Sequence, residues 1–355
     1  MLISALKSVQ GEPNSLDLPA KRSVCVVLVD GLGSHNLGNA AAHASFLNSL
    51  PTEPALCWFP ATTATSITAF ATASNPWSNG FLGYQVFNTA TSSQMNLLSG
   101  WKTFEDGQHY QKLQTVAELA SAEGVSFHTV APAAYERSGF TGATMRGGLF
   151  HGVNVISERF EKAKQLLNDP EAKVVYLYIP ELDQIAHAQG SASTAWINQL
   201  ELVDAYIRSF SAKLSKSVGI VVSSDHGVID IDKTNHVFLD EIISAEEFKF
   251  VGGDTRALYL YFKDGEDVLT KRELLEAALG DSCYIVTTED LIAAGYWGRL
   301  NDVSMNVAPD LLVLAKKQVA LYHRDFAKAK SMNMIGHHGS ITNQELAIPL
   351  IKIGF

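Results

Sequence analysis

The chain is poor in cysteine and has no surplus of basic residues. Among its 355 residues only Cys25, Cys57 and Cys283 are cysteines, and their odd number and wide spacing predict neither a disulfide framework nor a zinc site built on cysteine. Lysine and arginine number 27 against 37 aspartate and glutamate residues, which gives a net charge of −10. Since duplex nucleic acid is bound by basic surfaces, no such partner is expected.

Long apolar runs are also missing. Residues 1–23 have no cationic start, no long apolar run and no small-residue cleavage site, so the sequence predicts no signal peptide. No segment is apolar over the length that a membrane span requires. We therefore expect a cytoplasmic protein without a membrane partner. The oligomeric state cannot be predicted from these features.

Shorter apolar runs, rich in β-branched residues, do recur. They are bounded by turn signals, as expected of strands that are buried on both faces of a parallel sheet. Amphipathic, helix-like stretches lie between them at 112–124 and 193–214. This alternation predicts an α/β fold, with a doubly wound, mostly parallel sheet and helices on both faces. The strand-like runs are 23–33, 125–132, 172–180, 218–227 and 309–317.

The segment 235–299 has a different pattern. Strand-like 255–262 and 283–288 flank the helix-like segment 271–280, which predicts a small α+β insertion before the main sheet resumes. The predicted domains are a main domain made of 1–234 and 300–355, and the insertion 235–299.

Aspartate and histidine residues follow three of the predicted strands. Asp30 comes at the end of the first, Asp183 and His187 follow the third, and Asp225 and His226 follow the fourth. In an open α/β sheet, ligands bind beyond the carboxyl ends of the strands. We therefore expect these five side chains to lie at one edge of the sheet.

Their chemical types suit a divalent metal ion such as zinc. On a helix, Asp183 and His187 fall one turn apart on the same face, so both can reach one ion. The turn 334–340 adds His337 and His338 near the end of the chain. Taken singly, each of these residues has an ordinary alternative as a surface pair, a helix cap or a solvated histidine.

The segment 57–77 contains a candidate nucleophile. A proline precedes three hydroxyl residues, and a helix-like run of small residues follows. This pattern places Thr62 or Thr63 near the start of a helix. Free backbone N–H groups and the helix dipole at such a start favour a phosphate. A threonine hydroxyl needs a base or a metal ion to become nucleophilic. The alternative is an ordinary threonine that caps the helix.

Five short segments in this order resemble the alkaline phosphatase superfamily, and within it the type I phosphodiesterase/nucleotide pyrophosphatase family. They are VLVDGLG, FPATTATSITAFATA, YIPELDQIAHAQG, SSDHGV and GHHGS, and they span nearly the whole chain. The resemblance implies an alkaline phosphatase-like fold and two adjacent divalent ions, usually zinc, with manganese as a second option. It also implies a small phosphate-ester or nucleotide substrate.

The resemblance further implies a role for each matching residue. Thr63 would attack the phosphate, form a phospho-threonine intermediate and lie next to one ion. His338 is favoured over His337 because the family's ligand directly precedes Gly-Ser. The implied ligands are Asp183, His187 and His338 for one ion, and Asp30, Asp225, His226 and Thr63 for the other.

The segments that would contact the substrate depart from the family's pattern. Thr63–Ile67 lacks the aromatic and asparagine contacts common in this family, and position 67 is not the arginine that holds phosphomonoesters in typical alkaline phosphatases. This difference favours diesters. Arg256, Arg146 and Tyr84 are the candidate substrate contacts.

The sequence therefore predicts a metal-dependent phosphoric ester hydrolase. A phosphodiesterase or nucleotide pyrophosphatase is the first interpretation. A phosphomonoesterase or phosphonate hydrolase of the same superfamily is the alternative. A metal-binding protein without turnover is a third, from a different functional class.

Overall fold

The computed structural model describes residues 1–355. The strands are β1 Ser23–Val29, β2 Thr52–Leu56, β3 Gln85–Asn88, β4 Ser93–Asn96, β5 Ser126–Ala131, β6 Leu149–Gly152, β7 Lys173–Ile179, β8 Val218–Ser223, β9 Ile229–Asp230, β10 His236–Phe238, β11 Phe248–Asp254, β12 Ala257–Phe262, β13 Cys283–Thr287, β14 Leu311–Ala315, β15 Ala320–Tyr322, β16 Gly336–His337 and β17 Ala347–Ile353.

The helices lie mainly between strands of the main sheet. They are α1 Leu2–Gln10, α2 Ser34–Asn39, α3 Ser45–Asn48, α4 Thr63–Thr72, α5 Pro76–Asn79, α6 Phe104–Tyr110, α7 Val116–Ala122, α8 Gly139–Thr144, α9 Ile156–Asn168, α10 Glu181–Gln189, α11 Thr194–Ala212, α12 Val268–Leu279, α13 Thr288–Ala293, α14 Asp302–Met305 and α15 Asn343–Leu346. None of them is long and apolar enough to span a membrane.

The main sheet has seven strands in the order β2-β17-β8-β1-β7-β5-β6. Strands β8, β1, β7, β5 and β6 run parallel, whereas β17 is antiparallel to both β8 and β2. Four of the predicted strands, in 23–33, 125–132, 172–180 and 218–227, are therefore confirmed as members of one parallel sheet. The predicted α/β class with a mostly parallel sheet is confirmed as well.

Helices cover both faces of this sheet. Every residue of β1 is buried, and its side chains alternate between two apolar clusters. Val27 packs on the face covered by residues of α9, α10 and α11. Val26 packs on the opposite face with residues of α1, α4 and α7. Full burial of such a side chain contributes about 1.5–3 kcal/mol, which explains why β1 is a continuous apolar run.

A second sheet of six antiparallel strands, in the order β13-β14-β12-β11-β3-β4, stands beside the first. The predicted strand in 309–317 lies here as β14, so its placement in the main sheet was wrong. An apolar run that is buried on both faces has the same pattern in either sheet, so the sequence did not distinguish them. The predicted insertion 235–299 supplies β11, β12 and the edge strand β13 of this sheet, whereas β3, β4 and β14 come from outside it.

The second sheet and the segment after α13 are tied to the chain on either side of α4 and α5. The Tyr259 hydroxyl donates a hydrogen bond to the Leu82 carbonyl oxygen at 2.6 Å, and the Trp297 indole donates to the Phe59 carbonyl oxygen at 3.2 Å. All four residues are buried in one apolar cluster. The second sheet therefore forms a fixed wall beside the start of α4.

Candidate metal centre and active site

The carboxyl ends of three neighbouring strands meet at one place in the main sheet. Asp30 follows β1, Asp183 lies in the first turn of α10 directly after β7, and Asp225 and His226 follow β8. Because β7, β1 and β8 are adjacent and parallel, these side chains converge at one edge, as expected. His338 joins them from the turn after β16.

Asp30, Asp225 and His226, here called the Asp30 group, are mutually close enough to hold one ion. His226 Nε2 lies 3.4 Å from Asp30 Oδ1 and 3.6 Å from Asp225 Oδ2. Thr63 Oγ1 lies 3.2 Å from the same nitrogen. The candidate nucleophile is therefore adjacent to this group, as the resemblance implied.

Asp183, His187 and His338, here called the Asp183 group, lie next to it. His187 Nε2 is 3.1 Å from Asp183 Oδ2, and His338 Nε2 is 4.0 Å from Asp183 Oδ1. The rings of His338 and His226 stack with centroids 3.7 Å apart. Asp183, His226 and His338 also form a compact triad, so His226 stands between the two groups.

Backbone carbonyl groups orient the histidines of the Asp183 group. His187 Nδ1 is 2.8 Å from the Gly336 carbonyl oxygen, and His338 Nδ1 is 2.8 Å from that of Ala61. A carbonyl oxygen can only accept, so the proton of each ring belongs on Nδ1. Each Nε2 is then free to bind a metal ion, an arrangement typical of metal-ligating histidines.

The remaining histidine of the turn is held differently. His337 Nδ1 lies 2.7 Å from the Thr255 hydroxyl, and His337 Nε2 lies 3.3 Å from the Met334 carbonyl oxygen. Both ring nitrogens are thus engaged away from the two groups. This geometry supports the choice of His338 over His337.

The two groups have different electrostatics. Burial, together with the charges of Asp225 and Asp183, raises the pKa of Asp30 well above its ordinary range. Burial acts in the same direction on Asp183, but the nearby His187 outweighs it and lowers the pKa of Asp183. Burial lowers the pKa of His187, but Asp183 outweighs it and raises the pKa to about 9.

Unsatisfied carboxylate oxygens indicate that the site is built for cations. Asp30 Oδ1, Asp183 Oδ1 and Asp225 Oδ2 are all buried and have no hydrogen-bond partner. A buried polar atom without a partner costs free energy, and an ionised carboxylate costs more. Divalent ions bound by these oxygens and by imidazole nitrogens would remove that cost. Such a donor set fits zinc, and also manganese.

The start of α4 places Thr63. Thr62 is the capping residue of this helix, with an extended backbone, and its hydroxyl accepts a hydrogen bond from the Thr65 N–H at 3.4 Å. The same hydroxyl donates to Thr65 Oγ1 at 3.2 Å. Since Thr62 takes the capping role, the hydroxyl of Thr63 is free to face His226.

Two glycines allow close approach of the chain around the ligands. Gly31 has φ of +72°, and a Cβ there would lie 3.0 Å from Asp183 Cβ. Gly339 has φ of +127°, and a Cβ there would lie 3.0 Å from Asp254 Cβ. The glycine that follows each ligand in DG and HHG is thus required by both backbone conformation and space.

A cleft of about 620 Å³ opens between the two groups and the second sheet. Its lining includes Thr63, Asp183 and Tyr84, and a contact of Tyr84 with substrate stays a prediction. Tyr135 and Tyr322 also line it. Apolar and aromatic walls with a few polar groups are typical of sites for small molecules.

Neither predicted arginine reaches this cleft. Arg256 is fully buried, with Nη2 3.0 Å from Glu345 Oε2 and Nη1 donating to the Lys317 carbonyl oxygen. Arg146 Nε lies 3.0 Å from Glu118 Oε1. The predicted substrate contacts of both arginines are therefore wrong, because their guanidinium donors are used within the protein.

Sequence reasoning missed two residues of the site. The Tyr178 hydroxyl donates a hydrogen bond to Asp30 Oδ2. The parallel register of β1 and β7, which places Tyr178 opposite Leu28, could not be read from the sequence. Asp254 ends β11 and lines the cleft, and it lies in no motif that distinguishes it from a turn residue.

Comparisons with known proteins give independent evidence on the family of this chain. The profile of the type I phosphodiesterase/nucleotide pyrophosphatase family matches residues 24–341. A comparison with curated protein sequences finds no match. Similar solved structures include human ectonucleotide pyrophosphatase/phosphodiesterase 5, with a TM-score of 0.72 and 12% identity, covering 93% of this chain and 87% of that chain.

An inactive variant of the murine counterpart, solved in complex with AMP, is also similar. It has a TM-score of 0.70 and 15% identity, and the match covers 92% of this chain and 87% of that chain. At these identities the likeness shows the fold, which is alkaline phosphatase-like as the resemblance implied. The profile match covers most of the sequence and identifies a hydrolase of phosphate esters. The chain belongs to the type I phosphodiesterase/nucleotide pyrophosphatase family.

Proposed function

We propose that the protein is a two-metal phosphodiesterase or nucleotide pyrophosphatase that acts through a phospho-threonine at Thr63. The observation that carries this proposal is the position of Thr63 Oγ1, 3.2 Å from His226 Nε2, at the one residue that stands between the two ligand groups. A nucleophile beside two adjacent ligand groups is the arrangement that in-line displacement at phosphorus requires.

The residues of the two ligand groups are those that would hold the ions. Asp30, Asp225 and His226 would hold one, and Asp183 and its two histidines the other. When bound, zinc or manganese ions supply charge that lowers the pKa of a hydroxyl and neutralises phosphate oxygens. The orphaned carboxylate oxygens support two occupied positions rather than one, because they occur in both groups.

The residues of the chain then account for the chemistry. Thr63 Oγ1 gives its proton to solvent and attacks phosphorus, and the bond from phosphorus to the leaving oxygen breaks as the new bond forms. The leaving oxygen keeps the electron pair of that bond and takes up a proton from solvent as its basicity requires. Thr63 begins a helix of ten residues, so free backbone N–H groups at that start can contact the transferred phosphate. Water then attacks phospho-Thr63, the phosphorus–Oγ1 bond breaks, and Oγ1 regains a proton.

The cleft supports a small ester or nucleotide substrate. Tyr84 and Tyr135 offer aromatic faces for a base or an aryl group. No arginine lines the cleft, and its only lysines are Lys328 and Lys330. A dianionic phosphomonoester would therefore lack the bidentate partner that recognises it best. This absence supports diesters over the alternative, a phosphomonoesterase.

Thr63→Ala tests the proposal directly. With zinc or manganese added, wild-type protein should hydrolyse bis-p-nitrophenyl phosphate faster than p-nitrophenyl phosphate, and a chelator should abolish both activities. Thr63→Ala should lose turnover by roughly 10³-fold or more, as expected when a nucleophile is removed. It should keep its metal content, because the ligand residues remain.

Thr63→Ser is the matched control, since it retains a hydroxyl and should keep part of the rate. Thr72→Ala removes another threonine of the same helix, one whose hydroxyl donates to the Thr68 carbonyl oxygen, and should remain active. Undiminished turnover in Thr63→Ala would rule out the phospho-threonine route. A preference for the monoester would favour the phosphatase alternative, and bound metal without any turnover would favour the binding protein.

A further inference from the structure

Asp254 brings a fourth carboxylate to the cleft. It is the last residue of β11 and lines the same cleft as Thr63. Its Cβ packs against the backbone at Gly339, the residue that follows the ligand His338. It therefore flanks the two ligand groups from the side of the second sheet.

No lysine or arginine neutralises Asp254. Its Oδ1 accepts a hydrogen bond from the Thr255 N–H at 2.8 Å, and it takes part in no ion pair with a basic residue. The charged groups that face it are His187, His226 and Asp183. The buried Glu345, by contrast, has the guanidinium of Arg256 3.0 Å away.

Burial raises the pKa of Asp254 to about 6. The group is therefore ionised at an alkaline assay pH. A carboxylate kept beside the two ligand groups, with no basic partner and no place in either group, needs a physical reason, because its desolvation is unfavourable.

The charge balance of the site supplies one. Two divalent ions carry four positive charges, and the three carboxylates of the ligand groups, Asp30, Asp225 and Asp183, leave one of them unbalanced. The carboxylate of Asp254 balances that last charge. A phosphodiester brings one negative charge to this site, whereas a phosphomonoester brings up to two. With Asp254 ionised the site is neutral overall, so the second charge of a monoester adds repulsion from this carboxylate beyond that felt by the single charge of a diester. Lys328 and Lys330 also line the cleft, but neither forms an ion pair with Asp254.

We propose that Asp254 is a specificity-determining residue that favours singly charged phosphodiesters over doubly charged phosphomonoesters by repelling the second charge. The proposal rests on the proposed phosphodiesterase function and deepens it. A unit charge several ångströms from a partly buried carboxylate changes binding by about tenfold or more. This is an effect on discrimination, and Asp254 takes part in no bond-breaking step.

Asp254→Asn removes the charge and keeps an oxygen that can accept from the Thr255 N–H. At pH 8.5, the ratio of kcat/KM for bis-p-nitrophenyl phosphate over p-nitrophenyl phosphate should fall about tenfold in the zinc-loaded variant. Asp310→Asn is the matched control. Asp310 lies just before β14 of the same sheet, accepts from the Phe262 N–H at 2.8 Å, and lies outside the cleft. This control should leave the ratio unchanged.

A binding measurement separates discrimination from catalysis. In the zinc-loaded Thr63→Ala background, calorimetry with inorganic phosphate and with dimethyl phosphate gives two dissociation constants. Adding Asp254→Asn should tighten the binding of both anions, and inorganic phosphate about tenfold more than dimethyl phosphate, because only inorganic phosphate carries a second charge. Equal shifts for both anions, or no shift for either, would overturn the proposal.

Zinc content distinguishes the remaining outcomes. A loss of zinc in Asp254→Asn would make Asp254 a ligand and refute its role in discrimination. Full turnover of the Thr63→Ala protein would refute the proposed function itself. An unchanged diester-to-monoester ratio in Asp254→Asn, with Thr63→Ala inactive, would refute the inference alone.

Discussion

The Asp30 group and the Asp183 group occupy the same edge of the sheet but differ in how they carry charge without metal. In the Asp183 group, a protonated imidazole of His187 lies 3.1 Å from the carboxylate of Asp183, so the group holds its own cation. In the Asp30 group, two buried carboxylates face one another, and burial and this proximity raise the pKa of Asp30. The Asp30 group thus depends more on an external cation.

This difference predicts how metal binding at the two groups depends on pH. An ion that enters the Asp30 group relieves repulsion between carboxylates, but it also displaces the proton that the raised pKa of Asp30 favours. An ion that enters the Asp183 group must first displace the proton of His187, which opposes binding below the raised pKa. We therefore expect metal binding to weaken at both groups as the pH falls, and at the Asp183 group to weaken already below a pH of about 9.

The largest effect is expected when the activity and zinc content of Asp225→Asn are compared with those of His187→Gln. Asp225→Asn should lower turnover by roughly 10³-fold, since a bound ion contributes several kcal/mol to stabilising the transition state. The zinc content of this variant should fall because the Asp30 group has lost one of its carboxylate ligands. His187→Gln should lose the ion of the Asp183 group and keep the other.

Metal content by mass spectrometry under native conditions reports on both variants. If both variants lost the same number of zinc ions at every zinc concentration, the two groups would bind their ions as one cooperative unit. Asp232→Asn, which changes an exposed aspartate at a turn, serves as the control and should bind two ions.

The pH dependence of stability gives a second, smaller effect. His187 has a pKa raised to about 9 in the folded protein, against about 6.5 in the unfolded chain. Its stabilising contribution is complete below pH 6.5 and is lost as pH rises through 9, by up to about 3 kcal/mol. Urea unfolding with chelator at pH 6, 8 and 10 should show this decline.

Two additions sharpen that measurement. In His187→Gln the decline between pH 6.5 and 9 should become shallower, because the titrating imidazole is gone. Saturating zinc should have a similar effect in the wild-type protein, since a metal-bound histidine carries no proton on the ligating nitrogen. A decline of the same steepness in His187→Gln would show that another group is responsible.

The smallest effect expected is that of Tyr178→Phe, which acts on the Asp30 group alone. Loss of the hydrogen bond to Asp30 Oδ2 should weaken metal affinity at that group by about 10–100-fold, as is usual for residues that orient a ligand. Tyr176→Phe is a close control. Tyr176 is buried two residues earlier on β7, its ring stacks on that of Tyr178, and its hydroxyl has no partner. Equal effects of the two variants would argue against an orienting role for Tyr178.

Much of the fold followed from the sequence because buried parallel strands leave a clear pattern. The apolar runs at β1, β5, β7 and β8 are bounded by turn residues and separated by helices, and they all joined one sheet. Strand β14 has the same pattern but packs in the other sheet. Pairing partners depend on contacts between residues far apart in sequence, which a local pattern does not contain.

The ligands were predictable for a related reason. Asp30, Asp183 and Asp225 come at strand ends, and parallel strands bring those ends together without further information. Arg256 failed as a substrate contact because its position near the site did not reveal the direction of its guanidinium, which Glu345 determines. The predicted cytoplasmic location stays a prediction.

Strand β17 has a consequence for the time order of folding. It lies between β2 and β8, so β2 joins the main sheet only through residues 347–353. At synthesis rates of about 5–20 residues per second, the ribosome needs roughly 15–60 s to pass from β2 to β17. During that interval β2 has no strand to pair with, and once β8 has been synthesised its outer edge stays open until β17 emerges. Unpaired edges of this kind invite pairing between chains, so a nascent chain would gain from a chaperone until its last strand emerges.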